Sequence, residues 1–119
     1  MAVEADIFSP CALGAILTEA SVASLRVKAV AGGANNQLAT AAQGRQLADR
    51  GIVYAPDDVI NAGGIINVLR HIDQADDAAI NARIDTIPGR LHQGWDESEA
   101  SGDTPAEVAD RIAQRLIGR

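Results

Sequence analysis

The stretch that decides the fold is Val27-Lys28-Ala29-Val30-Ala31-Gly32-Gly33-Ala34-Asn35-Asn36. Its first half is short and apolar, which predicts a strand, and its second half has the composition of a turn. The same change occurs after Asp6-Ile7-Phe8 and after Ile52-Val53-Tyr54, where Ser-Pro and Ala-Pro follow. With helical segments between them, the order is strand, helix, strand, helix, strand. This order is typical of βαβ units in a parallel sheet, so the sequence predicts the α/β class.

Capping signals predict the helices that separate and follow these strands. Threonine N-caps open three helices, and two of them form a capping box with a Gln or Glu three residues later. Thr18 begins a helix that is expected to end near Leu25. Thr40, with Gln43, begins one that is expected to end at Arg50, before Gly51. Thr104, with Glu107, begins the last helix. About three strands with helices make half of a doubly wound, Rossmann-like sheet, which normally has about six strands.

Four further segments are assigned from composition and periodicity. The small apolar residues 11–17 are expected to turn into a helix, and residues 94–103, which are polar and acidic, are expected to form a loop. A helical stretch over residues 76–93 should kink or break at Pro88-Gly89. The strongly apolar run from residue 59 places four side chains on one helix face: Ile65, Val68, Leu69 and Ile72.

Composition excludes several classes of function. The formal net charge is −6 and aromatic residues are 3% of the 119, so we expect no binding to a nucleic-acid backbone or to stacked bases. No apolar run approaches the roughly 20 residues of a membrane span, and no signal peptide is visible at the start. Cys11 is the only cysteine, which excludes an internal disulfide and predicts a cytoplasmic chain.

Three small-residue loops form the candidate site. Residues 10–14, 32–36 and 61–64 each follow a predicted strand and are rich in Gly, Ala or Asn. In a parallel sheet all three would lie at the carboxyl edge, where open α/β folds bind ligands. Small residues let a ligand approach the backbone, and Asn offers a donor and an acceptor. The alternative is that these are ordinary turns, in which Gly and Asn are common.

Other reactive residues receive structural interpretations. Cys11 lies among small apolar residues, so we expect a buried, inert thiol. Asp57-Asp58 is expected to serve a helix N-terminus rather than acid–base chemistry. His71 and His92 are far apart and are expected on helix surfaces, so no metal site is predicted. There is also no Gly-x-Gly-x-x-Gly loop and no P-loop.

Four runs resemble the glutamate/leucine/phenylalanine/valine dehydrogenase family. Asp6 to Gly14 is similar to the Cys-Ala-Leu-Gly region of leucine dehydrogenases, and Ala31 to Leu38 is similar to the family's Ala-Gly-x-Ala-Asn-Asn-Gln-Leu. The runs Gly51 to Asp57 and Val59 to Val68 match the family's stretch almost letter for letter. Order and spacing agree over residues 5–70, while residues 75–119 match more loosely, and the resemblance is closest to leucine and valine dehydrogenases.

This resemblance implies an NAD-dependent enzyme that converts an L-amino acid to its 2-oxo acid and ammonia, and that is a homo-oligomer when complete. Residues 1–72 would be the latter half of its NAD-binding, Rossmann-like domain, and residues 73–119 a C-terminal helical segment. Cys11 and Ala12 match family positions that lie beside the nicotinamide ribose, and the resemblance implies the same place for them. Asn35 and Asn36 would bind the cofactor, and Asn35 would also orient the substrate.

Residues 61–64 begin a helix, and the resemblance implies that the side chain of the substrate contacts this helix. The resemblance implies that Ile65 and Val68 line the side-chain pocket; core packing is the alternative for both. Because they are three residues apart, both can face one ligand. An apolar pocket wall favours a branched-chain amino acid over glutamate, whose carboxylate needs a polar partner.

The chain also departs from the family pattern. The family's catalytic lysines lie in an N-terminal substrate domain, and Lys28, the only lysine, does not match their motif. The phosphate-binding loop and the acidic ribose-binding residue also have no counterpart here. We therefore expect no catalytic residue in this chain. Three hypotheses follow: part of a dehydrogenase, a non-catalytic half-domain that pairs with a separate dehydrogenase chain, or a relic with no role.

We predict that the purified chain alone does not reduce NAD with L-leucine or L-valine, because it offers no candidate for acid–base catalysis. Calorimetric titration should show that NAD binds weakly at best, because the phosphate-binding turn is missing. Robust NAD reduction, or an affinity near about 1 μM, roughly −8 kcal/mol, would contradict this prediction.

Overall fold

The computed structural model describes residues 3–118, with the side chain of His71 excepted. The expectation that His71 lies on a helix surface therefore falls outside the described residues, as do the ends of the segments predicted at residues 1–72 and 73–119.

A small parallel sheet organises the first half of the chain. Its strands are β1 (Ile7–Phe8), β2 (Ala29–Val30) and β3 (Val53–Tyr54), in the spatial order β1-β2-β3. In β2, Ala29 pairs with Ile7 and Val53, and Val30 pairs with Phe8 and Tyr54. The three strands therefore end level with one another, and the loops that follow them leave from the same edge. The predicted α/β class, with three parallel strands followed by helices, is confirmed.

Within residues 3–118, seven helices connect and follow the strands. They are α1 (Glu19–Ser24), α2 (Ala41–Asp49), α3 (Asp57–Ile60), α4 (Ala62–Asp73), α5 (Asp77–Ile84), α6 (Ile87–Ser101) and α7 (Pro105–Leu116). The capping boxes of Thr40 with Gln43 and of Thr104 with Glu107 are both present. Gly51 follows α2 with a φ of 67°, a left-handed conformation that favours glycine.

The core lies where α1 and α2 meet the sheet. It is a cluster of buried side chains: Leu17, Val22, Leu25, Val30, Leu47, Ile52 and Tyr54. Arg50, just after α2, donates hydrogen bonds to the carbonyl oxygens of Val22 and Leu25, the latter at 2.8 Å. These bonds satisfy carbonyl groups at the end of α1 and hold it against α2.

Helix α7 packs against α2 and α6. Arg45 of α2 donates to the Gly102 carbonyl at 2.9 Å and pairs with Glu107 at 3.0 Å. The pair is about half exposed, so its contribution is modest, of the order of 0–1 kcal/mol. Burial of Val108, which is fully inaccessible, contributes more, about 1.5–3 kcal/mol.

Three local predictions from sequence are wrong in part or in full. Residues 11–17 are not helical, because the amides of Ala15 and Leu17 bond to the Asn36 and Gln37 carbonyls at 2.7 and 3.0 Å. The expected loop over 94–103 is helical up to Ser101, within α6. The expected interruption of the 76–93 stretch is present as two helices, but it lies at residues 85–86, and Pro88 belongs to the first turn of α6, where proline is tolerated.

Helix α4 presents an uncovered apolar face. Ile65, Val68 and Ile72 are 63%, 51% and 70% exposed, although their spacing is that of a core-facing stripe. No helix among residues 3–118 is long and apolar enough to cross a membrane. Because these three side chains are more than half exposed, the α4 face is accessible to a ligand or to another protein surface.

We predict that Leu47→Ala lowers the free energy of unfolding by about 2–5 kcal/mol, because it removes a fully buried side chain from the core and leaves a cavity. Leu116→Ala is the matched control, since Leu116 is also helical but 79% exposed, and it should change stability by less than about 0.5 kcal/mol. Urea denaturation measures both. Equal losses in the two variants would contradict the assignment of the core.

Candidate functional site

The first two loops at the carboxyl edge of the sheet are in direct contact. Pro10, after β1, accepts a hydrogen bond at 2.8 Å from the amide of Ala34, after β2. The amide of Gly33 donates to the Cys11 sulfur at 3.4 Å. A Cβ at Gly32 would overlap the backbone of Pro10, so only glycine fits at that position. The loops predicted to share an edge are thus packed against each other.

Cys11 is exposed on this edge, so the expectation of a buried, inert thiol is wrong. The apolar run that contains it reaches the core only at Ile16 and Leu17, whereas Leu13 is 75% exposed. The Ser9 hydroxyl, 3.4 Å away, and then the Gly33 amide hold the pKa of Cys11 below its ordinary value, because both favour the thiolate. Ala12 lies beside it and is exposed as well.

The second loop is held from inside by Gln37, a residue that the sequence interpretation missed. Gln37 is fully buried, and its side-chain amide donates to the carbonyls of Gly32 and Ala34 at 2.7 and 2.9 Å. Within the described part of the chain its Oε1 has no hydrogen-bond partner. The sequence offered one signal for this supporting role. Gln37 lies between two asparagines and an apolar residue, in the loop that follows a predicted strand.

Asp57 holds the same loop from outside. Its carboxylate accepts from the amide of Asn36 at 2.7 Å and from that of Gln37 at 3.4 Å. It also accepts from the hydroxyl of Tyr54, the last residue of β3, at 2.8 Å. Asp57 and Asp58 do lie in the first turn of α3, as expected, but neither side chain caps that helix.

The third predicted loop, residues 61–64, contributes Asn61 alone, because residues 62–64 are the first residues of helix α4. The Asn61 amide donates to the carbonyl of Ala34 at 3.1 Å and to the side-chain oxygen of Asn35 at 3.3 Å. Asn35 and Asn36 are both exposed, and Asn36 adopts a positive φ of 52°. Asparagine tolerates this left-handed conformation better than most residues. The structure therefore brings the second and third loops together at Asn35.

Ile65 and Val68 follow on the exposed face of α4. They are four and seven residues after Asn61, a spacing that places all three on one side of the helix. The alternative of core packing is wrong for both, because more than half of each side chain is accessible. An apolar surface thus adjoins the polar loops.

A cavity and Lys28 lie outside the contacts between the loops. The cavity, of about 440 Å³, lies between α3, α6 and α7, and Ala62, at the start of α4, is the one residue of the three predicted loops among its lining residues. Among residues 3–118 no three His, Cys, Asp or Glu side chains cluster in a way that could hold a metal ion. Lys28 is exposed and pairs with Asp6 at 2.8 Å, at the opposite end of β2 from the loops.

Comparison with known proteins gives a consistent result. The model of the glutamate/leucine/phenylalanine/valine dehydrogenase family matches residues 1–108. A phenylalanine dehydrogenase of Bacillus thermotolerans is 41% identical over 114 residues, 96% of this chain and 30% of the relative. A leucine dehydrogenase of Bacillus subtilis is 39% identical over 98% of this chain and 32% of the relative. A valine dehydrogenase of Streptomyces coelicolor is 43% identical over 94% of this chain and 31% of the relative.

A solved structure agrees with these relatives. The L-tryptophan dehydrogenase from Nostoc punctiforme is 36% identical and superimposes with a TM-score of 0.92, over 98% of this chain and 36% of that one. This chain spans about a third of the length of the relatives that it matches.

We predict that Gly32→Ala destabilises the chain by about 1–3 kcal/mol, since the new methyl group must displace the Pro10 backbone. Gly33→Ala is the matched control, because a methyl group there meets only the Cys11 sulfur, at 3.7 Å. Chemical denaturation of both variants is the measurement. The close packing of the two loops would be disproved if Gly32→Ala were no less stable than Gly33→Ala.

Proposed function

The chain belongs to the glutamate/leucine/phenylalanine/valine dehydrogenase family, and we propose that it supplies the nicotinamide-facing part of an NAD-dependent enzyme. The reaction is the oxidative deamination of a branched-chain L-amino acid to its 2-oxo acid and ammonia. One observation carries this proposal: the loops after β1 and β2 and the start of α4 meet around the exposed amide of Asn35. Such a meeting point at the carboxyl edge of parallel strands is where open α/β folds bind ligands.

The loops suit a flat, polar ligand such as the nicotinamide ribose. Gly33 carries no side chain, and a Cβ there would meet nothing closer than the Cys11 sulfur, so the backbone is open to close approach. Cys11 and Ala12 would contact the ribose, and Asn35 with Asn36 would bind the nicotinamide. Bound NAD would accept the hydride from the amino acid. The residues of this chain would hold it in place and orient it.

The substrate would lie between these loops and α4. Ile65 and Val68 offer an apolar wall with no charged partner for a side-chain carboxylate, which supports a branched-chain substrate over glutamate. Asn35 would contact the backbone groups of the amino acid. The single cysteine supports a cytoplasmic location.

Acid–base catalysis would come from outside this chain. Among residues 3–118 the only side-chain hydrogen bond of Asn35 is the one with Asn61, and the Asp57 carboxylate is engaged by three donors. We propose that the catalytic groups belong to the part of the relatives' length that this chain does not match, in the same polypeptide or in a separate one. Either arrangement, the single polypeptide or the half-domain hypothesis, would cover the exposed edge strand β1, where Ile7 is 59% accessible.

We predict that this chain can replace the matching segment of the leucine dehydrogenase of Bacillus subtilis and yield an active hybrid. NAD reduction should be faster with L-leucine or L-valine than with L-glutamate. In the hybrid, Asn35→Ala should lower kcat/KM about tenfold or more, which corresponds to one lost hydrogen bond to a bound group.

Asn81→Ala on α5 is the matched control, because Asn81 is exposed and distant from the loops in sequence, and its activity should stay within about twofold of the parent hybrid. A folded hybrid without activity would refute the proposed function, and a preference for L-phenylalanine or L-tryptophan would refute the branched-chain substrate. Mixing this chain with the separately produced remainder of the relative tests whether the two parts can assemble from separate chains.

A further inference from the structure

Asp57 has a position that helix capping does not explain. It begins the single turn of α3, yet both of its oxygens face the loop after β2 rather than the amides of its own helix. One oxygen accepts from Asn36, and the other accepts from Gln37 and from the Tyr54 hydroxyl. A carboxylate that accepts several hydrogen bonds fixes its donors more strongly than a neutral acceptor does.

Tyr54 makes this carboxylate rigid. Burial, followed by the hydrogen bond to Asp57, raises the pKa of Tyr54 above its ordinary value, so the phenol stays protonated and always donates. The carbonyl of the same residue accepts from the Trp95 indole at 2.9 Å. The end of β3 is therefore anchored to α6 on one side and to Asp57 on the other.

The hydrogen bonds that Asp57 accepts determine the orientation of the Asn35 side chain. They hold the amides of Asn36 and Gln37, the two residues after it, and they stabilise the positive φ of Asn36. The Asn61 amide engages the side-chain oxygen of Asn35. The NH₂ group of Asn35 is then the one available to a ligand, and it can only donate.

We propose that Asp57 is the positioning residue of the site: by holding the amides of Asn36 and Gln37, it orients the Asn35 NH₂ group to donate to a carbonyl or carboxylate oxygen of the ligand. This inference rests on the proposed function, which assigns Asn35 to the ligand. Asp57 itself does not touch the ligand and acts through the loop.

The first test uses the full chain without ligand. In Asp57→Asn, NMR order parameters of the amides of residues 34–37 should fall from about 0.85 to below about 0.6, the range of a flexible backbone. Asp58→Asn is the matched control, an adjacent carboxylate with no bond to the loop, and should leave them unchanged. An equally rigid loop in Asp57→Asn would overturn the inference. If Asp57→Asn does not fold, Tyr54→Phe replaces it, because this variant removes the hydroxyl that donates to Asp57. The same fall in the order parameters is then expected, and an equally rigid loop would overturn the inference.

The second test uses the hybrid enzyme and separates positioning from general stability. Asp57→Asn should lower kcat/KM for NAD or for the amino acid about tenfold. In an Asn35→Ala background the same change should cost less than about twofold, because a residue that acts through Asn35 has nothing left to position. Equal losses in both backgrounds would overturn the inference while the proposed function stands. An inactive parent hybrid would refute the proposed function, and the loop order parameters would still decide the role of Asp57.

Discussion

The parallel pairing of three two-residue strands determines what the rest of the molecule can do. Because β1, β2 and β3 end in register, the segments that follow them are forced to one edge. Strands this short are not stable alone, so the pairing depends on the helices that cover them. Val30 and Tyr54, in the central strand and in β3, contribute to the core that α1 and α2 complete. The position of the loops is thus set by core packing some distance away from them.

Side-chain hydrogen bonds then convert adjacent loops into a defined surface. Gln37 supports the loop after β2 from the interior, Asp57 holds its amides, and Asn61 joins it to α4. The hydrogen bonds made by Gln37, Asp57 and Asn61 favour one conformation of this loop, although the Oε1 atom of Gln37 has no partner among residues 3–118. Small residues complete the arrangement, since a side chain at Gly14 would meet the Asn35 carbonyl at 2.8 Å. A family that transfers hydride requires such a fixed geometry around its ligand.

The sequence predicted those features that depend on nearby residues. The caps at Thr40 and Thr104 and the alternation of strands and helices along the chain follow from local chemistry, and all of them are present. Residues 94–101 were wrongly assigned as a loop because their helix is stabilised by tertiary contacts, including an ion pair of 2.9 Å between Glu97 and Arg115. The exposure of Cys11 and the bonds of Asp57 were not predictable either. Both depend on which loop lies opposite, and that is decided only when the sheet has formed.

The single tryptophan gives the molecule a built-in optical signal. The indole of Trp95 is bonded to the carbonyl at the end of β3, and its ring stands edge-on to that of His92, with centroids 5.5 Å apart. Its fluorescence therefore depends on a contact between α6 and the sheet at Tyr54, three residues before Asp57, whose carboxylate holds the loop that contains Asn35. One emission spectrum thus reports on whether the C-terminal helices are seated against the sheet.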